Sequence, residues 1–579
     1  MRNQMGNALK RIVVVGASIS GGLAACHLKL RFPDCEVISI QKGRARFPIV
    51  GESLTEFSTL LLHEIGLGSY LEEQHFHKYG LTFHFKENIQ DPTSYTYATH
   101  EAPRIPPMPS NQINRFTLAI RLKERAEELG VRTIDGSVTD VGLNESGPHR
   151  IYYTPDGEEP VSVEARWLVD ASGRNRFLTK KLKMEKAPPF QRSSFWFRLE
   201  DFDKSILQRM EQVKTPHHCF DSYYVTHHFM GRHNWIWAIP MRSDQPERDL
   251  ISIGIVFRPD LYQKEVTSVD AFLQHVGAEH PVVADLVRSG TIVDTNTYRN
   301  YFYETERNYS RSGWFIIGDA GDTVDPLYST GMAMTSIQIK QVAAMIEADR
   351  NGTLTEEFVS DLQRLYKTIR NSLQYEISTL YEVIADPFQS HLRVHCASAF
   401  YFYVLLPAWL CGYISDRVGV KVLLRALDDS ASRFKSLKTL LPIASKRLGP
   451  LPSSQIPNRY GQTVNWKLSG PAETKMPEDI ARCSLFFAKI RFYALRRAGW
   501  HQAYKHIPLC AADLLKAFLF GVALRGRAMK DVAAVKWMLG AGAIEADGVR
   551  RTGVVTEMPV VRPKPPVELT RALWQSRRR

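Results

Sequence analysis

The chain has 579 residues, of which 44% are hydrophobic and 23% charged, and it carries a formal net charge of +13. This balance is that of a globular protein with a large core, and it excludes a disordered or fibrous chain. At roughly 150 residues per domain, the length allows several domains or one large fold with insertions. The positive surplus suits anionic partners such as phosphate cofactors or acidic carriers, although most of it reads as general solubility. No nucleic-acid partner is expected. Seven scattered cysteines form no CxxC pair, so no metal site and no disulfide framework is expected. That cysteine usage, with a start that lacks a leader-like apolar run, predicts a cytoplasmic protein.

Arg11–Val15 is a short β-branched run and reads as a buried parallel strand. Gly16-Ala17-Ser18-Ile19-Ser20-Gly21-Gly22 follows, and Leu23–Leu30 reads as a helix. This is a GxGxxG turn with Ser18 at the second glycine position. Gly16 serves the tight turn, a small residue at 18 lets a pyrophosphate approach, and Gly21 permits close packing of helix on strand. Ser20 lies inside the same turn. A second strand, Glu36–Ile40, ends at Gln41, where a dinucleotide site usually has an acid. The amide oxygen of Gln41 can still accept a ribose hydroxyl.

Pro48–Leu54 contains Gly51-Glu52-Ser53, and Lys78 precedes the alternation Leu81, Phe83, Phe85, which predicts a half-buried strand with Lys78 at its mouth. Ile105–Ser110 reads as a proline-rich loop, and Arg115 precedes a helical run through Leu122, Ala126 and Leu129. Trp167–Arg174 is a strand ending in the acidic turn Asp170-Ala171-Ser172-Gly173-Arg174. Trp235, Trp237 and Ile239 share one strand face, with Pro240 expected to end the pairing. On their own, two tryptophans on a strand face read as core, and an isolated lysine as a solvated side chain.

The stretch Trp314–Met334 repeats the logic of the N-terminal turn. A strand ends at Gly318-Asp319, a turn-rich loop follows through Asp325-Pro326 and Ser329-Thr330-Gly331, and a helix begins. Free backbone amides and a positive helix end suit an anionic ligand. From about residue 337 the pattern is helical, with amphipathic runs at Glu356–Ile384 and Ala481–Ala498. Cys396–Ser415 is uncharged and close to a membrane span in length, but Pro407 and its tyrosines favour a buried or oligomer-facing helix, so membrane contact is possible but not favoured. Pro559–Pro566 and Arg577–Arg579 read as a mobile tail.

Together these motifs resemble the FAD-dependent hydroxylase and halogenase superfamily, over roughly residues 10–340. Trp235–Pro240 matches WxWxIP, and Val324–Gly331 matches FxPxxSxG with Val324 in place of the aromatic; both are similar to motifs of the flavin-dependent halogenases, the tryptophan halogenase-like family. The resemblance implies an α/β fold: an FAD-binding Rossmann-like domain of the glutathione reductase/hydroxylase type, an inserted mixed β-sheet and a helical C-terminal region. The division expected is 1–345, with the insert at about 80–110 and 185–305, then 346–579.

The resemblance also implies roles. Gly16, Ser18, Ser20, Gly21, Gln41, Ser53, Arg115, Gly318 and Asp319 would bind FAD. Thr330 and Gly331 would hold chloride or bromide, and Trp235, Trp237, Pro326 and Ser329 would wall the pocket. Lys78 would be the catalytic lysine that meets hypohalous acid, with Glu52 beside it. FADH2 would come from a partner flavin reductase. The substrate would be a small aromatic, free or tethered to a carrier, in secondary metabolism. The alternatives are an FAD monooxygenase on the same fold, and a flavin-binding scaffold or peripheral membrane protein without catalysis.

Overall fold

Ile12–Val15 is apolar and buried towards both faces, and the strand Arg11–Val15 lies third in a seven-stranded sheet. The structure, a computed structural model, describes residues 8–43, 50–86, 97–100, 110–208, 221–244, 248–448, 476–499, 501–512 and 515. The loop expected over 105–109, Pro48-Ile49 and the tail expected from 559 lie outside the described residues. Strand order in this sheet is Trp314–Ile316, Trp167–Asp170, Arg11–Val15, Glu36–Gln41, Arg132–Gly142, His149–Pro155 and Val161–Ala165. The first five run parallel. The last two are added antiparallel. One face buries Ile12 and Val14 under Leu23, Leu122 and Ile337 of three helices, Ile19–Arg31, Arg115–Glu128 and Thr330–Arg350. The other buries Val13 and Val15 with Ile151 and Tyr153 of the antiparallel extension. Parallel strands need cover on both faces, and this arrangement supplies it.

A second seven-stranded sheet runs Thr291–Tyr298, Ser193–Glu200, Asp249–Phe257, Asn234–Arg242, Thr226–Met230, Leu81–Lys86 and Tyr97–His100. It is mixed, as expected: Thr226–Met230 pairs with Leu81–Lys86 in parallel, and the other neighbours are antiparallel. Ile236 and Ala238 face a core built with Phe272 and Val283 of the helices Val269–Val276 and Pro281–Arg288. Trp235, Trp237 and Ile239 face the opposite core, with Leu327, Leu380 and Tyr381.

One expectation is corrected. Pro240 does not end its strand: pairing with Asp249–Phe257 continues through Pro240↔Ile251 to Arg242↔Asp249. On its other side, pairing with Thr226–Met230 has already stopped at His227↔Ala238, so the missing N–H of Pro240 costs no ladder bond there. The helix expected after the Ser329-Thr330-Gly331 turn starts at Thr330.

The C-terminal region is helical: Glu356–Leu380, Pro387–Phe400, Leu406–Leu410, Arg417–Leu448 and Met476–Ala498. One apolar cluster runs from Val14 through Ile337 to Leu423 and Phe487. The division expected near 345 lies inside the helix Thr330–Arg350. The apolar segment Cys396–Ser415 is broken by a π-helical turn, Tyr401–Leu405, and Pro407 lies in the first turn of the short helix Leu406–Leu410 that follows. No described helix is long and apolar enough to cross a membrane.

Candidate active site

Gly16 occupies the left-handed backbone region at φ +94°, and a Cβ there would lie 2.5 Å from the Ala171 carbonyl oxygen. A Cβ on Gly21 would lie 1.7 Å from the Gly16 carbonyl oxygen. The turn is therefore closed to any side chain, and the Gly16 amide is pinned to Ile40 O at 2.7 Å. Ser18 stands at the N-cap of Ile19–Arg31 with its hydroxyl uncommitted to the helix. Ser20 lies against Gly318, whose added Cβ would sit 3.0 Å from the Ser20 Oγ. The two glycine turns thus meet at the same end of the parallel strands. In such sheets this carboxyl end is where ligands bind.

Around this crevice several polar side chains converge, and some of their buried atoms have no hydrogen-bond partner among the described residues. Glu52 is 1% exposed, and neither carboxylate oxygen accepts a hydrogen bond from a described residue. Burial pushes its carboxyl up to about 7, against the pull of Arg198 and Arg115. Arg115 donates to Val50 O at 2.5 Å, leaves its Nε unpartnered, and feels both Asp319 and Glu52. Asp319 opens onto the crevice, where desolvation by the surrounding protein raises its carboxyl against the pull of Arg115 and Arg174. Buried, unpartnered donors and acceptors beside a side-chain-free turn fit a polar dinucleotide such as FAD.

Two sequence-marked residues have other partners. Gln41 donates to Asp135 Oδ1 at 2.8 Å. Asp170 accepts from the amides of Ser172 and Leu178 at 2.9 and 2.7 Å, so it braces its own turn.

The second glycine turn leads into the helix Thr330–Arg350. Gly318 N donates to Gln338 Oε1 at 2.8 Å, which locks the strand end to that helix. Pro326 starts a tight turn, and Ser329, at φ +57°, caps the helix in the left-handed region. The first-turn amides of a helix lack intrahelical acceptors and sit at its positive end. Gly331 is exposed there and Thr330 is buried, a backbone arrangement suited to a halide.

Lys78 lies at the end of Phe76–His77 and is 3% exposed. Its Nζ donates to Ser53 Oγ at 3.2 Å and to Leu54 O. Ser329 Oγ in turn donates to Ser53 Oγ at 3.0 Å. Ser53 therefore joins the lysine to the cap of the Thr330 helix. Burial lowers the Lys78 ammonium to about 8, with Glu56 opposing the shift. Lys78, Thr330 and Glu56 all line one cavity of about 390 Å³, walled by rings and aliphatic groups such as Phe57, Phe83, Ile337, Tyr401 and Phe434.

The tryptophans sit deeper. Trp235 Nε1 donates to Tyr381 OH at 2.7 Å and Trp237 Nε1 to Ser252 Oγ at 3.1 Å. Neither lines that cavity. Gly254 makes room for Trp237, since a Cβ there would be 2.2 Å from the indole. Sequence reasoning missed the brace behind the loop: Asp325 pairs with Arg192 and accepts from Tyr381 OH at 3.0 Å. It also missed Glu56, whose Oε2 accepts from Tyr401 OH at 2.7 Å across 345 residues of sequence. Asp325-Pro326 carried a turn signal; nothing local marked Arg192, Tyr381 or Tyr401.

A sequence profile of the tryptophan halogenase family matches residues 96–381. Flavin-dependent halogenase chlA of Dictyostelium discoideum is 26% identical over 442 residues, 70% of this chain and 72% of that one. The 1H-pyrrole-2-carbonyl-[peptidyl-carrier protein] chlorinase of Pseudomonas fluorescens is 26% identical over 394 residues, 64% of this chain and 83% of that one. The halogenase PltM, solved in complex with phloroglucinol and FAD, superposes with a TM-score of 0.58 at 15% identity, over 82% of this chain and 96% of that one. At that identity the superposition shows the fold, while the sequence matches carry the resemblance to the family. The chain is similar to the flavin-dependent halogenases in sequence and is an FAD-dependent enzyme.

Proposed function

We propose that this enzyme halogenates an electron-rich aromatic ring, and that Lys78 hands on the halogen from hypohalous acid. Bound FADH2 supplies the electrons with which oxygen oxidises the halide. A separate flavin reductase provides the FADH2. In this reading Gly16, Ser18, Ser20 and Gly21 receive the pyrophosphate, Gly318, Asp319, Arg115 and Ser53 the rest of the cofactor, and the amides of Thr330 and Gly331 the chloride or bromide. Glu52 orients groups at the crevice.

The single observation that carries the reading is the hydrogen-bonded run Lys78–Ser53–Ser329, which joins a buried amine to the helix end suited to halide. With its ammonium lowered to about 8, the amine is available in both charge states near neutral pH. The charged form donates a hydrogen bond to hypohalous acid, and the neutral form is a nucleophile towards halogen. The apolar cavity wall keeps water from competing with the ring. Relatives act on pyrrolyl groups held by a carrier protein, and PltM has been solved with phloroglucinol, which supports an aromatic substrate class.

The test is Lys78→Ala, assayed with FADH2, oxygen, bromide and a panel of aromatic compounds. The variant should bind FAD and consume FADH2 and oxygen, while organic halogenation collapses. Full halogenation with unchanged regiochemistry would remove Lys78 from the mechanism. Lys78→Arg separates the two roles, because arginine keeps a charged donor but is a very poor nucleophile.

A further inference from the structure

Glu56 is the carboxylate of the cavity that no cation neutralises by direct contact among the described residues. The other cavity carboxylate, Glu376, is paired with Arg393 Nε at 2.7 Å. Glu56 is 6% exposed and begins the helix Glu56–Glu64, where the positive helix end favours an anion. Lys78 is close enough for the carboxylate to act on its ammonium. The side-chain hydrogen bond that Glu56 accepts comes from a phenol: Tyr401 OH donates to Oε2 at 2.7 Å. Tyr375 and Lys435 also line the cavity, and three further titratable groups there do not compete for a substrate proton in the same way. His100 is held neutral, lowered to about 4 by burial, and the phenols of Tyr328 and Tyr401 are raised by theirs.

A cavity of about 390 Å³ falls in the range of small-molecule sites, and its wall is dominated by apolar groups. A ligand that enters it buries its ring among Phe57, Phe83 and Phe434 and finds one unneutralised acceptor, Glu56, beside Lys78. The group such an acceptor recognises is a ring hydroxyl, and Tyr401 already displays that contact.

We propose that the substrate is a free phenolic aromatic and that Glu56, braced by Tyr401, is the base that takes the proton of its hydroxyl. The proposal rests on halogen transfer at Lys78. With Glu56 holding the phenol proton, the ring carries phenolate character. A ring carbon then bonds to the halogen of hypohalous acid as the halogen–oxygen bond breaks, its electron pair leaving on oxygen. The hydroxide takes a proton from the Lys78 ammonium and becomes water. The ring proton at the new carbon–halogen bond passes to the neutral Lys78 amine, and Glu56 returns its proton to the phenolate oxygen. The sum is phenol plus hypohalous acid giving halophenol plus water, with both side chains restored. Indoles and pyrroles present an N–H that a carboxylate can bind but does not ionise, so they gain little from this base.

The experiment compares wild type with Glu56→Gln and Glu56→Asp on three substrates: an unactivated phenol, a nitrophenol already ionised at the assay pH, and an indole. FADH2 oxidation is followed in parallel to establish that each variant is folded and loaded. Glu56→Gln should lose about 100-fold in halogenation of the unactivated phenol. It should lose far less on the ionised nitrophenol, which needs no base, and Glu56→Asp should recover part of the loss. Equal loss on both phenols would mean a merely structural role and overturn the proposal. So would an unaffected Glu56→Gln, an aspartate variant as inactive as the glutamine one, or a wild type that halogenates the indole and no phenol. Retained halogenation in Lys78→Ala would instead strike the lysine reading, and the two failures are read from different variants.

Discussion

Arg192 Nε and Asp325 Oδ2 lie 2.6 Å apart, and neither side chain has any exposed surface. The pair joins the second sheet, through the residue just before Ser193–Glu200, to the loop that ends at Ser329-Thr330-Gly331. Its remaining hydrogen-bonding capacity is used: Arg192 also donates to Ser378 Oγ at 2.8 Å, and Asp325 Oδ1 accepts from Leu327 N at 3.1 Å. Tyr381 covers the guanidinium at 4.4 Å and bonds both Asp325 and Trp235. The sheet tryptophan, the end of the cavity-lining helix Glu356–Leu380 and the candidate halide loop are thus one hydrogen-bonded unit.

Removing one charge from this unit leaves the other buried without its partner. Asp325→Asn should therefore destabilise the protein by about 3–5 kcal/mol. Urea unfolding of the two proteins checks this. Because the same carboxylate holds the loop, any folded variant should also need more halide for half-maximal turnover. An unchanged unfolding midpoint would show that the pair contributes nothing net.

Glu52 makes stability depend on pH in a stated direction. Its folded carboxyl is raised from 4.5 to about 7, so between those values the folded protein holds a proton that the unfolded chain has released. Stability then falls as pH rises from about 4.5 to about 7 and stays lower above that. Glu52→Gln removes this dependence. In FAD-free protein it should stabilise by on the order of 3 kcal/mol at pH 8, with little difference from wild type near pH 4.5. Thermal unfolding at the two pH values checks it; equal shifts at both would mean that burial does not raise this group.

Gly16 tests the nucleotide turn. Gly16→Ala puts a Cβ against the Ala171 carbonyl and strains a backbone at φ +94°. The turn must shift, and FAD affinity should fall at least about tenfold, roughly 1.4 kcal/mol. Quenching of flavin fluorescence measures it. Unchanged affinity in a folded variant would take the pyrophosphate away from this turn.

Much of the fold was legible in local pattern, because local pattern encodes which face of an element is buried. Ile12–Val15, apolar throughout, could only be a covered strand. Trp235, Trp237 and Ile239 alternate, and they do share one face. Gly16 and Gly21 stand where no side chain fits, a constraint that the residue identities alone display. Pro240 was misread because the cost of a proline in a strand depends on whether a neighbour pairs on its nitrogen side, and the sequence does not list neighbours.

The site divides the same way. Sequence determined the two glycine turns, the Ser329-Thr330-Gly331 helix entry and the candidacy of Lys78, since each is a property of consecutive residues. Only the tertiary structure decided what these residues face. Ser53, which holds Lys78, meets Ser329 across 276 residues, Arg192 reaches Asp325 across 133, and Tyr401 reaches Glu56 across 345. Burial then sets the chemistry: a lysine lowered to about 8 and a glutamate raised to about 7 owe those values to the protein packed around them. Desolvation is a sum over every element that excludes water, and no stretch of sequence contains it.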